Sequence, residues 1–303
     1  MSLSVGIVGL PNVGKSSLFN ALTRAGAVVA GYPFTTIEPH HGIAGVPDPR
    51  IEAIAGVTHP ERTVPATVEF VDIAGLVRGA HSGEGLGNQF LAHIREVDAI
   101  VHVVRCFTTA DIPHVESSVD PVRDIEIVET ELAMADLADK PALYVANIGE
   151  EDLPAGPCAE TVIGHAQSKG AIALPLSAKL ESEAAELSPR EAGELLGAYG
   201  LTQPGLPRLI RAAYDLLNLI TFFTTASREV RAWPVPSGTR APEAAGKIHT
   251  DMQRGFIKAE VIGWRELVEA GSLQQARDRG LVRLEGKEYV VADGDVVLFR
   301  FAV

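Results

Sequence analysis

Cysteine is scarce in this chain: Cys106 and Cys158 are the only two among 303 residues. Two thiols, each in an apolar or mixed stretch, form no disulfide framework and point to a reducing compartment. No paired Cys/His spacing occurs, which argues against a zinc site. No window of about 18 apolar residues is present, so no transmembrane helix is expected. A basic leader ahead of an apolar core is also missing, so we expect no signal peptide and a cytoplasmic location. Positive charge is in deficit, with 26 Lys and Arg against 39 Asp and Glu and a formal net charge of −13. That balance disfavours nucleic-acid binding by the whole surface, DNA included, and leaves room only for a local basic patch. What remains is 46% hydrophobic and 21% charged, the composition of a globular protein with ample core. The length suits about two domains.

The most informative stretch is Gly9-Leu10-Pro11-Asn12-Val13-Gly14-Lys15-Ser16. It matches the phosphate-binding loop G-x-x-x-x-G-K-[ST] in the context its mechanism needs. Ser4-Val5-Gly6-Ile7-Val8 before it suits a buried parallel strand, and Ser17-Leu18-Phe19-Asn20-Ala21-Leu22 after it has helical apolar spacing. Strand, glycine loop and helix start together make a row of backbone N–H groups at a positive helix end, a natural seat for a nucleoside triphosphate. The loop residues Gly9, Pro11, Asn12, Val13, Gly14, Lys15, Ser16 and Ser17 are the expected phosphate contacts. Lys15 is expected to reach the β- and γ-phosphates, and the Ser16 hydroxyl to hold Mg²⁺.

Strand-like and helix-like segments alternate through the first half. Strands are expected over 66–73, 99–105, 142–146 and 171–176, and helices over 88–96 and 207–217. From Pro121, the apolar Ile125, Val128, Leu132 and Ala135 share one helical face. This alternation predicts an α/β fold with a mostly parallel sheet and flanking helices. Ligand loops should then lie at the carboxyl ends of the strands. From Leu219 the texture changes to short β-like segments interrupted by one helix near 245–254. We therefore divide the chain into 1–218, a P-loop NTPase domain, and 219–303, a small α+β domain. No internal repeat is present.

Further groups add to the phosphate loop. Asp72-Ile73-Ala74-Gly75 is a D-x-x-G element at a strand end. Its carboxylate suits a water on Mg²⁺, and the Gly75 N–H suits the γ-phosphate. Thr36 is the candidate for a second protein oxygen on the metal, with Thr35 its competitor. The expected guanine-reading N-K-x-D is replaced by Asn147-Ile148-Gly149-Glu150. The aspartate that takes both guanine donors is lost, so the site turns towards ATP. Asn147 is expected to pair with adenine N6 and N7, the Ile148 backbone with the Watson–Crick edge, and Ser177-Ala178-Lys179 to close the pocket. Glu150 is counted among the nucleotide contacts, although its longer side chain leaves its place open. Leu76 follows the D-x-x-G where signalling GTPases place a glutamine. Another group must orient the attacking water, and the candidates are His114, His81 and Thr35. A K⁺ ion held by the Asn12 carboxamide is a further route to positive charge.

Together these residues resemble the YchF family, the Obg-like ATPases among the P-loop NTPases. The resemblance rests on 6–16, Pro33-Phe34-Thr35-Thr36-Ile37-Glu38-Pro39, 69–77, Gly83-Glu84-Gly85-Leu86-Gly87-Asn88-Gln89-Phe90-Leu91, the N-x-x-E at Asn147 to Glu150, and 244–251. It implies an ATPase with Leu76 as the substituted hydrophobic position, and a TGS domain of β-grasp type over 219–303. It also implies association with ribosomes, for which Lys247, His249, Arg254 and Lys258 offer a local basic face. An Obg-type GTPase and an ATP sensor with negligible turnover are the competing readings. One departure is plain. The family's long helical hairpin is missing, and only Leu137-Ala138-Asp139-Lys140-Pro141 occupies its place.

Overall fold

A computed structural model describes residues 3–26, 41–73, 86–109, 111–226 and 228–302. In chain order the elements begin β1 (Ser4–Val8), α1 (Lys15–Gly26), β2 (His41–Gly45), α2 (Pro49–Thr58), β3 (Arg62–Val64), β4 (Thr67–Asp72) and α3 (Leu86–Glu96). There follow β5 (Ala99–Cys106), α4 (Pro121–Met134), β6 (Ala142–Ile148), α5 (Pro157–Ser168), β7 (Ala173–Leu176), α6 (Ala178–Ala184), α7 (Pro189–Ala198) and α8 (Gly205–Leu216). The chain ends with β8 (Leu219–Thr224), β9 (Glu229–Pro236), α9 (Ala241–Ile248), α10 (Thr250–Arg254), β10 (Phe256–Gly263), α11 (Trp264–Ala270), α12 (Leu273–Asp278), β11 (Arg283–Glu285) and β12 (Asp295–Phe301).

The first of two compact units contains 1–45 and 68–217. Its sheet runs β2-β4-β1-β5-β6-β7, and the pairs β1/β4, β1/β5, β5/β6 and β6/β7 are parallel. Burial explains the order. β5 is buried at all eight positions and lies inside the sheet, as a continuous apolar strand must. Helix starts follow local rules. Asp120 caps α4 by accepting from Arg123 N, with Pro121 in the first turn. Ser188 and Glu191 close a capping box at the start of α7. Ile125, Val128 and Leu132 are buried as their spacing requires. A tight turn then joins α4 to β6: Asp136 takes φ +61°, and Leu137 N donates to Leu132 O at 2.8 Å.

The second unit contains 46–67 and 218–303. Its sheet runs β11-β10-β12-β8-β9-β3, with β8/β9 antiparallel, β12 parallel to β8, and β3 parallel to β9. Phe222 anchors its core, stacked on Trp233 at 6.3 Å and meeting Phe299 edge-on at 5.9 Å. Two sequence expectations are corrected here. Residues 46–67 join the second unit, where a division at 218/219 assigns them to the first. Arg50 fixes them there, bonded to Asp48 at 2.7 Å and to Asp293 at 2.6 Å. The single helix expected near 245–254 is two, broken at His249 in extended backbone, and α11 and α12 follow unforeseen. Helices of six or seven residues are too short to show a period.

Candidate functional site

The chain leaves β1 through Gly9, and two glycines set the loop that follows. Gly9 takes φ +151°, and a Cβ there would lie 2.4 Å from the Val103 carbonyl oxygen. Gly14 takes φ +96°, and a Cβ there would lie 2.2 Å from Asn147 Nδ2. Between them Asn12 adopts φ +64°, a left-handed turn that asparagine tolerates. Leu10 and Val13 are buried and peg the loop to the unit. Helix α1 begins at Lys15 with no acidic residue in its first turn, so its positive end faces the loop unopposed.

Lys15 folds back over this loop and donates to Gly9 O at 3.2 Å and Leu10 O at 2.8 Å. Burial lowers its pKa to about 8, against the opposing pull of Asp72. The ammonium is thus held on carbonyl dipoles without an anionic bond, ready to exchange them for phosphate oxygens. The Ser16 hydroxyl donates to Asp72 Oδ2 at 3.1 Å. That brings together the two metal candidates among the described residues, both hard oxygen donors of the kind Mg²⁺ takes. Thr35, Thr36, Gly75, Leu76 and His81 lie outside the described residues.

A cavity of about 660 Å³ opens beside the loop. It is lined by Asn12, Gly14, Lys15, Ser16 and Ser17 at one end, and by Asn147, Ile148, Glu150, Ser177 and Ala178 at the other. Gly9, Pro11 and Val13 shape the loop without lining the cavity. Asn147, expected to pair with adenine N6 and N7, also has a structural role. The side chain is buried, donates from Nδ2 to Val13 O at 2.8 Å, and accepts from Ala178 N at 2.9 Å. Asn147 is therefore a brace that ties the phosphate loop to the 177–178 turn. Glu150 does face the cavity, held by Tyr199 and Lys179.

The sequence reading missed one wall, Phe107, Thr108, Thr109 and Ile112. Its position just past the carboxyl end of β5 was the available signal. Arg105 secures it. This buried guanidinium donates to Phe107 O, Ile112 O and Asn12 O, and lies 4.4 Å over the Phe107 ring. Asn12 Nδ2 adds a bond to Pro113 O at 3.2 Å. His114, read as a water-orienting group, is held outside the cavity in this conformation. Its Nε2 lies 2.7 Å from Asp124 Oδ2, and its Nδ1 accepts from Glu116 N at 3.0 Å. Both nitrogens are committed, and the ring does not line the cavity.

Comparisons with known proteins place the chain in a family. A family model described as a 50S ribosome-binding GTPase matches residues 4–148. The YchF-GTPase_C model, described as a protein of unknown function, matches 219–302. The chain is 45% identical to the ribosome-binding ATPase YchF of Haemophilus influenzae and 43% identical to that of Escherichia coli O157:H7, with all of each chain covered. Each alignment spans 363 positions against 303 residues here, so about 60 positions have no counterpart in this chain. Among solved structures, a Schizosaccharomyces pombe YchF GTPase is 32% identical, with a TM-score of 0.86 over 99% of this chain and 98% of that one. A GTP-binding protein from Pyrococcus horikoshii shares the fold, with a TM-score of 0.63 over 99% of this chain and 100% of that one at 18% identity.

Proposed function

The chain belongs to the YchF family, and on that premise we propose that it binds ATP and hydrolyses it slowly, as a switch that acts at the ribosome. One observation carries the reading. A preformed phosphate loop shares a cavity with a purine corner in which Asn147 is a brace and the Glu150 carboxylate is already engaged. In operation the loop amides and the Lys15 ammonium grip the β- and γ-phosphates. Ser16, Asp72 and Thr36 would hold Mg²⁺, which supplies charge neutralisation at the transferring phosphoryl group. The Ile148 backbone and the 177–179 turn enclose the base. Asn12 Oδ1 makes no hydrogen bond to a described residue and remains a ligand candidate for K⁺.

In this reading His114 orients the attacking water only once its bond to Asp124 is released. Residues 219–303 form a TGS domain of β-grasp type, a reading supported by the β8–β9 hairpin, the α9 crossing and β12 parallel to β8. Its Lys247, His249, Arg254 and Lys258 are all exposed and give a basic face for ribosomal RNA, in a cytoplasmic protein.

The names of the relatives differ on the nucleotide: ATPase for the bacterial proteins, GTPase for the yeast one. That difference keeps the Obg-type GTPase as the second reading. Equilibrium binding of both nucleotides separates the two, and GTP tighter than ATP by about tenfold (~1.4 kcal/mol) would end the ATP reading. Single-turnover hydrolysis with and without ribosomes and K⁺ tests the enzyme. Unmeasurable hydrolysis under every condition leaves an ATP sensor.

A further inference from the structure

Glu150 stands three residues after Asn147, the place at which N-K-x-D supplies its guanine-binding aspartate. A free carboxylate there would accept from guanine N1–H and N2–H₂ together. Replacement of Asp by Glu does not by itself remove that capacity, because the acceptor is kept and the side chain merely reaches further. Something else must keep guanine out if the site prefers adenosine.

The structure places two groups on that carboxylate. The Tyr199 hydroxyl donates to Glu150 Oε2 at 2.8 Å. The Lys179 ammonium lies 2.7 Å from Oε1, an ion pair without an aligned hydrogen bond, and Oε1 is closed to solvent. Tyr199 ends α7, 49 residues beyond Glu150, and belongs to no nucleotide motif in the chain. Lys179 opens α6 beside the 177–178 turn that closes the cavity. Lys179 and then Tyr199 hold the Glu150 carboxyl below the usual carboxylate range, so it remains an anion at neutral pH. Glu150 raises the Tyr199 hydroxyl in turn, so it remains a donor.

We propose that Tyr199, assisted by Lys179, is a nucleotide-selectivity lock: it holds the Glu150 carboxylate in an orientation that closes Oε1 to solvent and leaves Oε2 shared with the Tyr199 hydroxyl, so that guanine's paired donors do not find two free, aligned oxygens. Adenine carries no such pair and loses nothing. A guanine driven into the cavity cannot match N1–H and N2–H₂ to the two oxygens together, and an unmatched donor is the condition under which a polar site rejects a ligand most strongly. Tyr199 is the stronger half, because Lys179 is largely exposed and its ion pair is screened by water. Tyr199 thus acts through Glu150 as a positioning residue. The inference rests on the reading of this cavity as the purine site.

The test is equilibrium binding of ATP and of GTP, each with Mg²⁺, to the full chain and to Tyr199→Phe, Lys179→Met and the double variant Tyr199→Phe/Glu150→Gln. Tyr199→Phe should lower the ATP:GTP affinity ratio about tenfold by strengthening GTP, the size expected for freeing one hydrogen bond to a charged group. Lys179→Met should move the ratio the same way by a smaller factor. The gain in GTP binding should vanish in the double variant, which a merely structural loss at Tyr199 would not produce. An unmoved ratio in both single variants, or a GTP gain that survives Glu150→Gln, overturns the lock while a wild-type preference for ATP stands. A wild type that binds GTP more tightly than ATP overturns both the lock and the adenosine reading.

Discussion

The two ends of the cavity proposed for the nucleotide, phosphate and purine, are built on different principles. The phosphate end is backbone: Gly9 and Gly14 sit in conformations that a side chain would strain, and the N–H groups they aim belong to consecutive residues. The purine end is side chains whose partners are distant. Asn147 spans from Val13 to Ala178, and Glu150 is fixed by Tyr199 and Lys179. A backbone site is set by local geometry and resists drift. A side-chain site changes its ligand when any one of several remote partners changes, which is a physical reason for one fold to serve more than one base.

That contrast can be broken first at Lys15. Lys15→Ala removes the charged donor at the phosphate end and should weaken ATP and GTP alike by about 100-fold. Equal titrations of both nucleotides check it, and a base-dependent loss would deny the separation of the two ends. Asn147→Ala comes next. It strands the Val13 carbonyl and the Ala178 N–H, each at a cost of about 1–3 kcal/mol. Thermal unfolding should show a lowered Tm, and both nucleotides should weaken together, in contrast to the altered ratio expected of Tyr199→Phe. His114→Ala should lower single-turnover hydrolysis more than nucleotide affinity. Unchanged turnover would remove His114 from the chemistry.

The smallest effect is one of pH. In the free protein burial holds the Lys15 pKa at about 8, whereas phosphate oxygens favour the charged form. Binding therefore takes up a proton above that pH, and affinity falls as pH rises, by about threefold between about pH 7.5 and about pH 8.5. The sign for folding is the reverse. The unfolded chain holds this proton up to its ordinary pKa, so Lys15 makes the free protein more stable as pH rises above about 8. Lys15→Arg should flatten the binding profile, which calorimetry at several pH values would show.

The same contrast explains what could be read from the sequence. The strand, glycine loop and helix around Gly9 to Ser16 are local, and the structure places them as the spacing requires. The alternation that fixed β5, β6 and α4 is local too. Asn147 lines the cavity, but its bracing bonds were not legible, since nothing near it in sequence reveals Val13 and Ala178 as partners. Tyr199 carried no signal at all, and neither did Arg105, whose carbonyl partners are Asn12 in the phosphate loop and Phe107, Ile112 and Pro113 beyond β5. His114 was legible as a polar loop residue, while its commitment to Asp124 required the fold of α4.

Residues 46–67 have a practical bearing on anyone who would cut this protein in two. Val46 N bonds to Ala66 O at 2.8 Å, so the detour is closed at its base like a loop of thread. Its Ile51 and Ile54 are buried, and the helix that carries them, α2, packs against α11 and β9. Scission after Leu217 would leave the amino-terminal piece with those two isoleucines bared, a sticky surface. The carboxyl-terminal piece would be missing its outermost strand, and Asp293 would be stripped of its guanidinium. A sound dissection would replace the whole detour with a short turn in one fragment and tether it to the other.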